Sequence, residues 1–552
     1  MAKVQFIALT AALMLAGQVS AKGDKQITIT YKGNKATVVN ELKDSAEVKV
    51  DGSHVSLTSQ YTQPIKVTLA GKSEDGTFVL KNDGRVKLSL NNLDLTSKEG
   101  APLWLKNKKR VEITAPKGTT NNLVVVECQD TANYKAACIF AKENIKLSGK
   151  GTLNVTSEGK GCKGINAKGD ITIEELTLNV ETKGDNWNSS RGKFGGMGGF
   201  GGGFGGFGGF GGGDFNPDSI PNFGGGFPGG FGGGHHEHME GDSIPGGRRE
   251  GRGHGPRGGM GGFGGGFPGG GFPGFGGGEF NPDSIPDFGG GFPGGMGGFG
   301  GFGGGFPGFG GGEDDEDGEG GFVIPPMGGG GGHGNAKAIC CVGDMTINSG
   351  TIKIKTAFHG GEGLESKQVM TFNGGDIYID AVDDGINCAK QIVFNGGTII
   401  AKSSTNDAVD CNGNRQPIII NGGTIYAWSS TGSPEEGMDC DFSAIIINGG
   451  KLFTMGGGMG EEPSKPSAKS AKQPAVMIVN LVIEEGDQIE VYEGTPENPG
   501  KKIDSFSGPF NLRQSASVLS YPEFQPGGTY FVKTKQKTVP FTFTENYVKV
   551  RS

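Results

Sequence analysis

Apolar stripes at helical spacing are nearly missing from this chain, and that shortage argues against an α-helical fold. Beyond the first 21 residues no apolar run approaches the roughly 20 residues a membrane-spanning helix needs, so no membrane span is expected. Positive charge is short as well. The formal net charge is −8 and no basic stripe with interleaved aromatics occurs, which argues against binding to nucleic-acid phosphates. None of the eight cysteines stands in a CxxC pair, which excludes the usual structural zinc site.

What is present is unevenly spread. Residues 1–21 carry a basic Lys3, an apolar run and a Val19-Ser20-Ala21 end, which reads as a cleaved secretory signal. The mature protein is therefore expected to be secreted, in the periplasm or outside the cell. Most of the 111 glycines fall in 186–335, where single phenylalanines alternate with glycines and the phrase FNPDSIP occurs at Phe215 and again at Phe280. Aliphatic residues are too few there to offset the entropy of ordering, so the insertion reads as disordered. Its phenylalanines suggest self-association, against the plainer reading of a spacer. The HHEH cluster at His235–His238 lacks the HExxH spacing of a zinc protease, and the acidic run Glu313–Gly320 lacks EF-hand order.

On either side of the insertion the chain alternates apolar and polar residues in short runs. Within 336–458 one phrase recurs five times, from AICC-VGDMTINSGTIKI to GMDC-DFSAIIINGGKLFT. Its turn asparagines, Asn348, Asn373, Asn395, Asn421 and Asn448, are 25, 22, 26 and 27 residues apart. Three short strands per unit and glycine turns mark a coil that stacks on itself. The expected fold is all-β: a parallel β-helix with a long disordered insertion and a C-terminal β cap. The N-terminal β region and first turns occupy 22–185, a linker 459–474, and the cap or a small packed module 475–552.

In such a coil, equivalent residues of successive turns lie roughly 4.8 Å apart. Columns of letters therefore become rows in space. Ile339, Leu364, Ile386, Val409 and Met438 form one inward row, Ile352, Ile377, Ile399, Ile425 and Leu452 another, and the asparagines an amide ladder. A further slot takes only small residues, among them Cys341, Cys388, Cys411 and Cys440, read as packed free thiols. Cys128 and Cys138 are the expected disulfide.

Two columns are acidic. Glu362, Asp384, Asp407 and Glu436 precede the first inward slot, Glu365, Asp410 and Asp439 follow it, and Asp383 and Glu435 extend the first set. Carboxylates stacked at that spacing repel by roughly 1 kcal/mol in water and by about 3 to 4 kcal/mol at an effective dielectric near 20. A calcium ion, which takes oxygen ligands in loose geometry, answers that repulsion. A solvated acidic edge is the alternative. An outward row that includes Tyr378 and Tyr426, with Trp428 nearby, has the character of a sugar-stacking surface, or else of a surface covered by the C-terminal module.

The secretory signal, the LNNLDLTS and GAPLWLKN segments, and the turns spelled INGGTIYA with DDGINC resemble the family of secreted bacterial carbohydrate-binding-domain proteins with a right-handed parallel β-helix. That resemblance implies binding of acidic plant polysaccharides such as polygalacturonate. It also implies a coil similar to calcium-dependent pectate lyases, which hold the metal with acidic residues and use a lysine as base. Lys337 and Lys390 are the candidate bases, but carboxylates raise a neighbouring lysine's pKa, which disfavours that role. The expectation is a non-catalytic polysaccharide-binding protein, with a polysaccharide lyase and a matrix protein assembling through its insertion as alternatives.

Overall fold

The computed structural model describes residues 25–128, 136–184 and 336–552, apart from 359, 414–415, 433, 441–442, 458–465 and 467–468. Residues 1–21, expected to be a secretory signal, the glycine-rich insertion with its histidine and acidic clusters, and much of the expected linker lie outside the described residues.

Among the described residues the chain is all-β but for one short 3-10 turn at Lys43–Ser45, and the strands pair mostly in parallel, as a β-helix-like coil requires. The first strand of each turn joins a ten-stranded sheet. Its register runs Ile165, Ile339, Leu364, Ile386 and Val409, so the inward row forms as its spelling implies. Second and third strands stack in the same way. They merge into one large sheet through the long strand Val86–Glu99, which pairs with Val111–Thr114 by its first half and with Thr120–Glu127 by its second. Asn92 turns that strand with a φ of 52°.

Inward Ile, Leu, Val and Phe side chains are fully buried along the coil, and each such burial contributes on the order of 1.5–3 kcal/mol. Phe372 and Phe394 stack on adjacent turns, with centroids 4.9 Å apart. At the turns, each asparagine amide donates to the asparagine below it, at 2.9, 2.8, 2.8 and 2.7 Å from Asn373 to Asn448. The second glycine of the turn is obligatory for two reasons. At Gly397, φ is +92°, and a Cβ there would lie 2.7 Å from the carbonyl oxygen of Gly375.

The register continues across the insertion. Lys163–Ala167 pairs with Ile339–Cys341 and Thr177–Thr182 with Thr351–Thr356, residue against residue.

Past the last turn, Leu512–Ser520 pairs antiparallel with both Lys451–Met455 and Ala475–Ile483. A four-stranded antiparallel sheet, Gln488–Gly494, Pro499–Ser507, Thr529–Lys533 and Thr538–Thr542, completes the C-terminal part. The two enclose a second core around Ile489, Val491, Phe506 and Phe524.

The disulfide differs from expectation: Cys128 bonds Cys162, with Cα atoms 5.7 Å apart. One coil turn brings Cys162 beside Cys128, since Glu158 donates its N–H to Val125 at 2.9 Å. Cys138, only ten residues from Cys128 in sequence, lies buried inside the strand Ala137–Ala141. Cys341, Cys388, Cys411 and Cys440 are buried and form no disulfide.

Candidate functional site

The segments entering the first strands carry the acidic residues. Gly363 donates its N–H to the Asp384 carbonyl at 2.9 Å and Gly385 to the Asp407 carbonyl at 3.2 Å, which sets Glu362, Asp384 and Asp407 on successive rungs. One slot further on, Glu365, Asn387 and Asp410 pair in register, and Asp410 bridges to Asp439.

Three of these side chains converge. Carboxylate oxygens of Asp384, Asp407 and Asp410 all lie within 4.8 Å of one another, and all three residues are buried. Asp384 Oδ2 accepts from Asn387 Nδ2 at 2.7 Å, while its Oδ1 is buried and has no hydrogen-bond partner. Asp407 accepts the backbone N–H of Glu436, and Asp410 accepts from Asn412 Nδ2. Burial, reinforced by the charges of Asp410, Glu362 and Asp383, pushes the Asp384 carboxyl up to about 9. Burial likewise pushes Asp407 up to about 8, with Asp439 and Asp384 adding to it against the N–H of Glu436. Neither forms a salt bridge with a described lysine or arginine. A buried, unsatisfied carboxylate oxygen among like charges is chemically suited to a hard cation.

The remaining candidates divide. Asp383 accepts from Asn406 Nδ2 at 2.9 Å. Half-buried Glu435 is raised by burial and by the charges of Asp383 and Asp439, so these three surround the triad electrostatically. Glu436 contributes its backbone N–H to the site.

Glu362 and Glu365 belong elsewhere. Lys337 Nζ lies 2.7 Å from Glu362 Oε1 and 2.6 Å from Glu365 Oε1, and Lys367 also pairs with Glu365. The oxygens facing Lys337 are satisfied by an ammonium group, so both glutamates gather on Lys337 rather than with the three converging aspartates. Lys337 is equally unsuited to be a base. Burial alone would lower its pKa, but the Glu362 and Glu365 charges override that and raise it. Glu365, which burial alone would raise, is brought down to about 2 by Lys337 and Lys367. Lys390 pairs with Gln368 Oε1.

The aromatic candidates are also corrected. Tyr426 and Trp428 are 7% and 3% exposed, covered by the C-terminal core. Trp428 stacks on Phe506 with centroids 5.8 Å apart, and Tyr426 donates to Asp504 at 3.0 Å. Neither offers a face to a sugar. Tyr378, at the border of that core, is half-buried, with Lys402 Nζ 5.4 Å from its ring centroid.

Sequence reasoning gave no role to Asn412, and it considered Lys337 only as the base of a lyase, a role it disfavoured, without seeing it as the counter-ion it is. The signal for the latter was present: Lys337 stands directly above Glu362 in the same column.

A family model described as carbohydrate-binding domain-containing protein matches residues 51–190 and 313–495. A protein of that description from Acetivibrio thermocellus is 26% identical over 166 residues, 29% of this chain and 54% of the relative. The match thus spans about half the length of that relative. Among solved structures, a polysaccharide lyase-like protein from C. thermocellum, a gadolinium derivative, aligns with a TM-score of 0.36 at 14% identity, covering 71% of this chain and 93% of the other. With the family model matching more than half of its residues, the chain belongs to the carbohydrate-binding domain-containing proteins.

Proposed function

We propose that this protein is exported and binds an acidic polysaccharide through a calcium ion held by Asp384, Asp407 and Asp410, without cleaving the glycan. Membership of a carbohydrate-binding family supports the glycan. The observation that carries the cation is the buried Asp384 Oδ1, which lacks a hydrogen-bond donor, on a carboxylate that lies within 4.8 Å of two other buried carboxylates. Three carboxylates fall short of the six to eight oxygens calcium takes, so water and uronate oxygens would complete the shell. Bound calcium would supply attraction for a polyuronate that the acidic face alone repels. Asn387, Asn412 and the Glu436 N–H hold the aspartates in place. The engagement of Lys337 by two glutamates weighs against elimination chemistry at that lysine. The basic and then apolar start of the chain supports export.

The test is incubation of the protein with polygalacturonate in calcium and then in chelator, following retention on the polymer and ultraviolet absorbance of unsaturated product. Calcium-dependent retention without absorbance is expected. Equal retention in chelator refutes the calcium bridge, and rising absorbance refutes the non-catalytic reading.

A further inference from the structure

The row that carries Asp384 and Asp407 has a lysine at its head. Ala338 donates its N–H to the Glu362 carbonyl at 3.0 Å, so Lys337 sits one rung from Glu362, which in turn sits one rung from Asp384. Its Nζ is held between Glu362 Oε1 at 2.7 Å and Glu365 Oε1 at 2.6 Å. Glu362 is 6% exposed and Glu365 is 4% exposed. Two buried glutamates from one strand entry thus converge on a single point, and that point holds a positive charge. Calcium–oxygen distances of roughly 2.3–2.6 Å are close to these contacts. A second, independent feature points the same way: Glu362 Oε2 is buried and has no hydrogen-bond partner, so the cluster has more acceptor capacity than one ammonium group uses.

We infer that Lys337 is a tethered counter-cation occupying a second divalent-cation site, built by Glu362 and Glu365 one rung from the aspartate site. The lysine thereby limits this acidic row to one exchangeable ion. The inference extends the proposed calcium reading of Asp384, Asp407 and Asp410 to the neighbouring rungs. It does not require that reading to hold, because the glutamate cluster is defined by its own contacts.

Without the ammonium, buried Glu362 is left uncompensated and Glu365 keeps only the half-exposed Lys367, which is strongly destabilising unless a cation replaces it. The experiment is therefore calcium stoichiometry, by titration calorimetry and equilibrium dialysis, on the full chain and on its Lys337→Met variant. One additional calcium per chain is expected in the variant. A folded Lys337→Met protein with the stoichiometry of the parent overturns the inference. Should the aspartate site bind no calcium, the parent reads zero, and a single ion gained by Lys337→Met still supports the glutamate site. Should Lys337→Met be unfolded in chelator, calcium is expected to restore its circular dichroism, while Lys337→Met/Glu362→Gln/Glu365→Gln folds in chelator and gains no ion. Failure of calcium to restore the single variant overturns the inference.

Discussion

Replacing Asp384 by asparagine is expected to stabilise the calcium-free protein. In chelator at pH 7 the folded state keeps a proton on Asp384, whose pKa is about 9, while an unfolded aspartate near 3.8 does not. At about 1.36 kcal/mol per pKa unit, holding that proton from 3.8 up to pH 7 costs about 4 kcal/mol. A Coulomb estimate agrees in size: two ionised oxygens within 4.8 Å of each other repel by at least roughly 3.5 kcal/mol at an effective dielectric of 20. The substituted side chain would keep the shape, retain an oxygen for the Asn387 amide and carry no charge. In a cooperative unit of several hundred residues this corresponds to a rise in melting midpoint of about 5 °C. In saturating calcium the order inverts, because the parent gains the binding free energy and Asp384→Asn loses a charged ligand. Differential scanning calorimetry of both proteins in chelator and in calcium makes the comparison. An Asp384→Asn protein that melts below the parent in chelator would refute the reasoning, since it would mean the carboxylate is already satisfied.

The same linkage fixes a pH dependence: with Asp384 raised to about 9 and Asp407 to about 8, the folded state binds protons the unfolded state has released. Stability in chelator is therefore greatest below about pH 4 for this contribution and falls as pH rises through 8 to 9, and calcium flattens the fall; urea midpoints across that range test it. Trp428→Ala, which empties a buried site against Phe506, is expected to cost about 3–5 kcal/mol in urea denaturation while leaving glycan retention unchanged. Asn395→Ala breaks both the bond to Asn373 and the one from Asn421, and is expected to cost about 1–3 kcal/mol by the same measurement.

Much of the coil was legible because stacking in register forces similar letters into similar places. The rows through Ile386, Ile399 and Asn395 could be written down from spacing alone, since one side-chain row demands burial and another demands an amide. The acidic columns were equally legible as columns, but the division of labour within them was not. Whether Glu362 meets a metal or Lys337 depends on which rung supplies the nearest positive charge and on how far each is buried, quantities set by three-dimensional packing. Tyr426 and Trp428 were ambiguous for a different reason. An outward aromatic row has the same composition whether it receives a sugar or another protein layer, and only the position of Phe506 and Asp504 separates the two. The disulfide was misread because sequence proximity was weighed above the coil period, which carries Cys162 back to Cys128.

The pairing of Ile165 with Ile339, 174 residues later, makes the coil two segments joined by lateral hydrogen bonds rather than by a short connection. Closing a loop of that length rather than one of about 25 residues adds only about 1.7 kcal/mol of entropy, less than the burial of a single isoleucine side chain at the seam can return. Covalent continuity is therefore a minor part of what holds the halves together. The two lengths of coil act as complementary fragments, each presenting a templating rung to the other, so that chain inserted at this seam can grow, shrink or be cut without the register on either side being rewritten.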